Sequence, residues 1–231
     1  MSMKLHKVVT IGGTVYPLIS DDVRLLLKSP GRANLKIQAT EPVSGLVALD
    51  IGYNERSLQR HFLGYVERCT TSSAVSQVVF CRELTGVLAA PLPLNLRHVD
   101  LRTVLEEIHK QTGLSFRVPE QAYATTKVPF FYSLASGFLA MDSLARVFGI
   151  EDFIWQQQGN GEVFAGSWAD GFFGARSPLQ LPIELFDDYQ GNQSAQVAAL
   201  PGLRPGATIN NGERVTSVAL AGTQMAIKWT T

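Results

Sequence analysis

Charged side chains are scarce in this sequence, and neither sign predominates. Only 17% of the 231 residues are charged, and 20 basic side chains are balanced by 20 acidic ones. A general nucleic-acid binder usually carries a basic excess that displaces counterions from phosphates, and this chain has none overall. Locally, residues 1–97 hold 11 basic and 7 acidic side chains, and the remainder holds 9 and 13. With 45% hydrophobic residues, the composition predicts a globular protein with a substantial core.

Cysteine and long apolar segments are also nearly absent. The two cysteines, Cys69 and Cys81, cannot form a disulfide framework, so we expect both to be reduced. No apolar run approaches the ~18 residues that a membrane-spanning helix needs. We therefore predict no membrane span and expect the protein to be made in the cytoplasm.

Motifs for catalysis and for cofactor binding are missing as well. The four histidines are scattered, and none lies at metal-ligand spacing from a cysteine. Glu106 and Glu107 are neighbours on a predicted helix and diverge by about 100°, while Asp187-Asp188 follows a predicted strand. Neither carboxylate pair is placed like a general acid and base. We predict no enzyme activity, no cofactor and no metal.

Alternation of apolar and polar residues marks the first ninety residues as β-strands. In segment 33–39, Leu35 and Ile37 alternate with polar side chains, which puts the two classes on opposite faces. Gly12-Gly13 between two such segments predicts a two-residue hairpin turn. Ser29-Pro30-Gly31 predicts another turn. Six or seven short strands at this spacing predict a closed barrel or a sandwich.

The pattern changes to a helical period in the middle of the chain. An apolar stripe with helical spacing follows Asp100, a plausible N-cap, and ends before Gly113. A second helix is predicted over residues 136–148, again closed by a glycine. Beyond residue 150 strands return, with hairpin turns predicted at Asn160-Gly161 and Asn211-Gly212 and a strand at 179–186.

The sequence thus predicts a mainly β fold with a small α+β insert and two tube-type β-barrel or sandwich domains. The first tube-like barrel is expected over residues 1–92, the helical insert over 93–150 and the second barrel over 151–231.

Adjacent aromatic side chains in two connecting segments are the candidate subunit interface. They are Phe130, Phe131, Tyr132, Trp168, Phe172 and Phe173. Adjacent aromatics in a loop cannot all enter one core, so some are expected to cover another subunit. The alternative is that they fill the seam between a barrel and the insert.

Three segments resemble phage tail baseplate hub proteins. Residues 62–68 contain Gly64 and the pair Val66-Glu67, a pattern seen in one strand of that family. The next strand, 78–88, ends in a segment that matches the one closing the family's first barrel, Arg82-Glu83-Leu84-Thr85-Gly86-Val87-Leu88. Cys81 stands where the family commonly has glycine. The segment from Leu203-Arg204-Pro205-Gly206 to Val218 resembles the family's C-terminal end. The chain's length suits a hub of the Mu-like or siphophage type.

This resemblance implies a structural virion protein at the distal end of a phage tail. Such hubs look like two tube-type barrels per chain, so three chains present six barrels and adapt a sixfold tail tube to a threefold tip. The resemblance implies a homotrimer as the partner assembly, together with the distal tail, tube, tape-measure and tip or fibre proteins. DNA would pass through the lumen without sequence-specific binding. A hexameric distal tail or tube protein and a peripheral carbohydrate- or receptor-binding sandwich are the alternatives.

Overall fold

The fold was analysed in a computed structural model that describes residues 4–54, 57–190 and 193–230. The chain divides into two compact units. Unit 1 contains residues 1–83 and 177–231, and unit 2 contains residues 84–176. Strands predominate and nearly all of them pair antiparallel, and the α-helices lie in unit 2. The mainly β fold class with a small α-containing insert is therefore confirmed.

The first seven strands of unit 1 follow one another along the chain. They are β1 (Leu5–Ile11), β2 (Thr14–Tyr16), β3 (Leu18–Leu26), β4 (Ser29–Gln38), β5 (Leu46–Tyr53), β6 (Gln59–Ser73) and β7 (Ser76–Glu83). Burial alternates as the sequence predicts: Ala33, Leu35 and Ile37 are fully buried on β4, while the residues between them face outward. Each strand therefore contributes one apolar side to a shared core.

Five further strands complete unit 1. They are β13 (Asp187–Gln190), β14 (Ser194–Ala198), β15 (Thr208–Ile209), β16 (Glu213–Ala221) and β17 (Gln224–Thr230); the intervening strands belong to unit 2 and are given below. All twelve form one sheet of order β13-β14-β17-β16-β3-β4-β7-β6-β5-β1-β2, with β15 paired to β16.

Strand β3 is shared between the two groups of strands. Its residues 22–26 pair with β16 on one side, and β4 pairs with it on the other. Near the start of β3, Asp21 accepts a 2.6 Å hydrogen bond from the Lys7 ammonium of β1, and both side chains of this ion pair are nearly buried. The ion pair thus joins β1 to the first half of β3, while the second half of β3 pairs with the C-terminal strand β16.

The predicted domain boundaries of 1–92, 93–150 and 151–231 differ from this division. The last strands join the same sheet as the first because β16 pairs with β3, and residues 151–176 belong to unit 2. Periodicity identifies strands but carries no information on which distant strand each one pairs with.

Several local predictions can be compared with the backbone. Gly12 and Gly13 both have positive φ, at 56° and 87°, as a two-residue primed turn requires. The turn predicted at Ser29-Pro30-Gly31 is wrong, because β4 begins at Ser29. The strand predicted at 179–186 is also wrong: Leu179 makes only an isolated bridge, and a short 3-10 helix covers Ile183–Leu185. Pro178 and Pro182 lack the N–H groups that a ladder needs.

Unit 2 packs three helices against two small sheets. Its elements are β8 (Leu94–Val99), α1 (Leu101–Thr112), β9 (Phe116–Arg117), α2 (Ala122–Thr125), β10 (Val128–Ser133), α3 (Gly137–Phe148), β11 (Phe153–Gln157) and β12 (Val163–Ser167), preceded by a 3-10 turn at Leu84–Ala89. β8 pairs with β10, and β12 pairs with β11 and β9.

Both long helices begin and end where the sequence predicts. The Asp100 side chain accepts a hydrogen bond from the Thr103 N–H at 2.9 Å, and Gly113 closes α1 with φ of 74°. Gly149 closes α3 with φ of 62°. Their apolar faces enter a core that also contains Phe131 and Trp155. Within the described ranges, none of the helices has the length and apolarity to cross a membrane.

Candidate subunit interface and buried ion pair

An exposed aromatic stripe lies on β10. Phe130 is 67% exposed and Tyr132 is 58% exposed, whereas Phe131 between them is 1% exposed. This alternation arises because successive residues of a strand face opposite sides. On the other strand, Arg97 and Asn95 lie opposite the two exposed rings. Among the described residues, no strand pairs with the second edge of β10.

The predicted interface residues differ in exposure, and Phe131 is the one that lies in a core. Phe131 lies in the core of unit 2, where its ring stacks with Phe148 at 6.5 Å between centroids. Its side chain has almost no exposed surface for a subunit contact. Leu134, which the sequence analysis missed, continues the exposed side of the strand and is 67% exposed. Three large apolar groups in a row expose roughly 350 Å² or more, within the size range of functional patches on monomers.

The second aromatic segment, residues 168–176, is partly covered by its own residues. Phe172 is 48% exposed and meets Phe173 edge-on at 5.0 Å. The Arg176 guanidinium lies 3.6 Å from the centre of the Phe172 ring, a close cation–π contact. A stacking platform for a sugar needs an open ring face, so this contact disfavours Phe172 in that role. Trp168 is half-buried at the start of a short 3-10 turn.

The two aromatic sets form separate groups. Phe130 and Tyr132 share one strand, and Phe172 and Phe173 share one loop. Phe172 contacts its loop neighbour Phe173, whereas Phe131 of the first set stacks with Phe148.

A buried ion pair in unit 1 was not predicted as a site. Glu83, the last residue of β7, and Arg204, in the loop before β15, are 4% and 6% exposed. An Arg204 terminal nitrogen donates to Glu83 Oε1 at 2.9 Å, and the other donates to the backbone carbonyl of His61 at 2.6 Å. The Gly31 N–H donates to Glu83 Oε2 at 2.6 Å. The pair thereby ties strands β4, β6 and β7 to the loop that precedes β15.

Local packing explains why residue 31 is a glycine. A Cβ at this position would lie 2.7 Å from Leu25 Cδ2 and 2.9 Å from the Glu83 carboxylate. The bare Cα lets the carboxylate reach the backbone N–H.

Burial shifts the pKa of two members of this cluster. Desolvation raises the pKa of Glu83, although the Arg204 charge and the Gly31 hydrogen bond oppose the rise. Desolvation also lowers the pKa of His61 to about 3, with smaller contributions from the Arg204 and Lys7 charges. Both ring nitrogens of His61 lack a hydrogen-bond partner among the described residues. His61 is therefore a neutral imidazole held in the core.

The ion pair joins two of the segments that carried the sequence resemblance. Glu83 belongs to the Arg82–Leu88 motif and Arg204 to the Leu203–Gly206 motif. The sequence pattern could have indicated that Glu83 is buried, because it follows Val79 and Cys81 in the alternation of inward-facing residues on β7. A carboxylate at an inward position of a strand needs a partner, but periodicity does not name Arg204.

Neither cluster is arranged for catalysis. The Glu83 carboxylate and the Arg204 guanidinium are enclosed and bind each other, so substrate has no access to them. Within the described ranges, no three His, Cys, Asp or Glu side chains are placed to hold a metal ion. Glu106 and Glu107 both approach Lys110, at 3.8 and 3.5 Å, as solvated helix side chains do. The side chains of Asp187 and Asp188 lie outside the described residues.

A groove of about 440 Å³ opens on unit 1. Its lining residues are Leu26, Leu27, Lys28, Ser29, Arg214, Thr216 and Thr230. Two cations and three hydroxyl groups lie there beside two leucines.

The fold is similar to those of solved tail proteins. The chain superposes on the 43 kDa tail protein of prophage MuSo2 from Shewanella oneidensis with a TM-score of 0.70 and 11% identity, covering 98% of this chain and 97% of that one. It also matches an E. coli component of the type VI secretion system, described as structurally similar to T4 bacteriophage tail proteins gp27 and gp5. That TM-score is 0.67 with 11% identity, over 96% of this chain and 76% of the other.

A sequence relative comes from a phage. The chain is 29% identical over 225 residues to an uncharacterised 58.7 kDa protein in the lys 3′ region of Haemophilus phage HP1 (strain HP1c1), which covers 95% of this chain and 41% of the relative. The chain thus spans less than half the length of that relative. No protein-family model matches the sequence. The resemblance to phage tail hub proteins is confirmed at the level of the fold.

Proposed function

We propose that this chain is a structural component of a phage tail that forms the hub ring at the distal end of the tail tube. The observation that carries the proposal is the fold match to a prophage tail protein over nearly the full length of both chains. At 11% identity the match concerns architecture alone, and the phage origin of the HP1 relative gives independent support.

In this proposal the two groups of strands in unit 1, β1–β7 and β13–β17, are the two tube-type modules. Three copies then present six modules, which adapts a sixfold tube to a threefold tip and surrounds a channel for DNA. The protein acts by assembly rather than by catalysis. It is assembled in the host cytoplasm and ends in the virion, next to distal tail, tube, tape-measure and tip or fibre proteins.

The proposed contacts to neighbouring subunits are the exposed side chains of Phe130, Tyr132 and Phe172, together with the half-buried Phe173 and Trp168. Large aromatic groups give much contact area for little conformational entropy. The Phe130–Leu134 stripe is the stronger candidate because its rings are the more exposed and adjoin an unpaired strand edge.

Native mass spectrometry and cryo-electron microscopy of purified tails test the proposal. Three copies of this chain in a ring at the end of the tube would support the hub. Six copies would favour a distal tail or tube protein instead. A position on the periphery, with binding on a glycan array that Trp168→Ala abolishes, would establish the receptor-binding alternative.

The interface residues need a separate test. The Phe130→Ser, Tyr132→Ser double variant should keep the monomer's melting temperature within about 3 °C, because both rings are already largely exposed, and should reduce ring formation. Phe131→Ser is the matched control: it should unfold the monomer by opening a cavity in the core. Normal ring formation by the double variant would remove the stripe from the interface.

A further inference from the structure

The outward face of four neighbouring strands carries an unusual set of cations. Three rows cross β3, β4, β7 and β6 in register. The rows are Arg24–Arg32–Arg82–Tyr65, Asp22–Asn34–Phe80–Arg68 and Ser20–Lys36–Val78–Thr70. Glu67 lies in a bulge beside the second row. We call this surface the basic face: it holds five cations and two carboxylates, a net charge of +3.

Two of the arginines are held by carboxylates on the same face. Asp22 binds Arg24 through two 3.0 Å hydrogen bonds, and Glu67 binds Arg82 at 2.6 Å. Arg32 lies directly between Arg24 and Arg82 in the register.

The remaining three cations are unneutralised. Arg32, Lys36 and Arg68 make no ion pair within the described ranges, and Arg32 and Arg68 are exposed. Like charges directly opposite each other on neighbouring strands destabilise a sheet by up to about 1 kcal/mol per pair. Within one copy, Arg68 and Arg82 lie over the Phe80 ring at 6.0 and 5.5 Å, which compensates only a small part of this repulsion. Carboxylates of a partner would compensate more of it.

One end of unit 2 has the opposite charge. Its four acidic residues lie on adjoining turns: Glu120, Glu151, Asp152 and Asp170. The Trp168 N–H donates to the Asp152 carbonyl at 2.9 Å, which joins the second turn to the Trp168–Asp170 turn.

The third turn joins the same acidic end. Gln121, next to Glu120, donates to Asp170 at 2.9 Å. Arg102 pairs with Glu120 at 2.8 Å, and the Glu120 side chain remains 89% exposed. We call these turns the acidic end: they carry four carboxylates, with Arg102 beside Glu120 and Arg176 on the loop that follows Asp170.

We propose that the basic face of one copy docks against the acidic end of unit 2 in a second copy. This inference rests on the proposed function, which requires a ring of copies, and names the surfaces that make it. The two surfaces lie on different parts of the chain, so the contact is heterologous and repeats head-to-tail until the ring closes. Complementary charge sets the register of such a contact and speeds its formation.

A protein surface fits the basic face better than nucleic acid does. Asp22 and Glu67 on the same face would repel phosphates, and the chain as a whole has no basic excess. Carboxylates presented by a folded partner can instead meet Arg32, Lys36 and Arg68 individually, since arginine pairs with carboxylate in a directed geometry.

A charge-swap experiment on the full chain tests the inference. The basic-face variant, Arg32→Glu, Arg68→Glu, reverses two exposed cations. The combined swap carries these two substitutions and also Glu151→Arg and Asp152→Arg in the same chain. Arg146→Glu, which reverses an exposed cation on α3, is the matched control. Self-association is measured by sedimentation velocity at about 0.15 M and about 1 M salt, with circular dichroism as the check on folding.

We expect the basic-face variant to weaken self-association at least about tenfold at the lower salt, which corresponds to about 1.4 kcal/mol. The combined swap should restore association, because each interface again joins opposite charges, and Arg146→Glu should associate normally. Association of the wild type should weaken at the higher salt.

Other outcomes would overturn the inference in distinguishable ways. A wild-type oligomer that both reversal variants leave unchanged would exclude these surfaces but leave the hub proposal intact. A wild type that stays monomeric at every concentration would count against both. Binding of short duplex DNA that Arg32→Glu, Arg68→Glu abolishes, with association unchanged, would show that the basic face contacts nucleic acid instead.

Discussion

The buried pair between Glu83 and Arg204 leads to the sharpest prediction on stability. Arg204→Met removes the cation and its hydrogen bond to the His61 carbonyl but leaves the Glu83 carboxylate enclosed, with the Gly31 N–H as its remaining donor. Breaking one partner of a buried pair costs about 3–5 kcal/mol. We expect that loss in the free energy of unfolding at neutral pH. Glu83→Gln should lower the free energy of unfolding by a similar amount, because it leaves the buried Arg204 guanidinium without its carboxylate.

The double variant separates the pair's mutual interaction from the cost of burying each charge. Glu83→Gln, Arg204→Met leaves neither member of the pair charged, so it should be more stable than either single variant. The coupling in the double-mutant cycle should exceed about 2 kcal/mol. Urea unfolding followed by tryptophan fluorescence gives each free energy by linear extrapolation, provided that the slope with urea is the same in all four proteins.

An exposed pair in the same unit is the control. Asp22 and Arg24 keep 44% and 52% of their side chains exposed, so Asp22→Asn should change stability by no more than about 1 kcal/mol. If Arg204→Met cost no more than this control and the cycle were additive, the pair would not tie the C-terminal loop to the first strands, and our account of unit 1 would be wrong.

Three further predictions concern single features. The lowered pKa of His61, about 3, means that the unfolded chain binds this proton more readily, so stability is complete above about pH 6.5 and falls as the pH drops towards 3; at pH 4.5 the loss is about 3 kcal/mol. His61→Phe should abolish this part of the slope in urea unfolding, and an unchanged slope would contradict a neutral buried imidazole. Gly31→Ala should lower the urea midpoint by an amount equivalent to about 1–3 kcal/mol, because its Cβ meets the Glu83 carboxylate; a neutral effect would show that β4 can shift. Phe172→Ser with Phe173→Ser should reduce assembly more than it lowers the monomer's melting temperature, and the reverse result would assign both rings to the fold.

Local sequence patterns were sufficient for most secondary structure. The α1 helix is marked by its apolar stripe, by Asp100 and by Gly113, and each of these acts over one or two turns of chain. The inward residues of β4 follow from simple alternation. Segment 179–186 was misjudged because its apolar content outweighed Pro178 and Pro182, which deny it ladder hydrogen bonds.

The sequence pattern predicts the exposure of the candidate interface residues only in part. Three consecutive aromatics at 130–132 indicate that not all can be buried. Once β10 is known to be a strand, alternation assigns Phe131 to the opposite side from its neighbours. The covering of Phe172 by Arg176 depends on how the loop folds back, and no periodicity encodes it.

By itself, the sequence determined the β-rich class, the two long helices with their caps, and the inward and outward sides of most strands, because these depend on residues a few positions apart. The tertiary structure decided that β16 pairs with β3, that Glu83 meets Arg204, and that three arginines align across neighbouring strands. These contacts join residues far apart in the chain, and their free energy depends on strand register and on burial from water, which exist only once the sheet has formed.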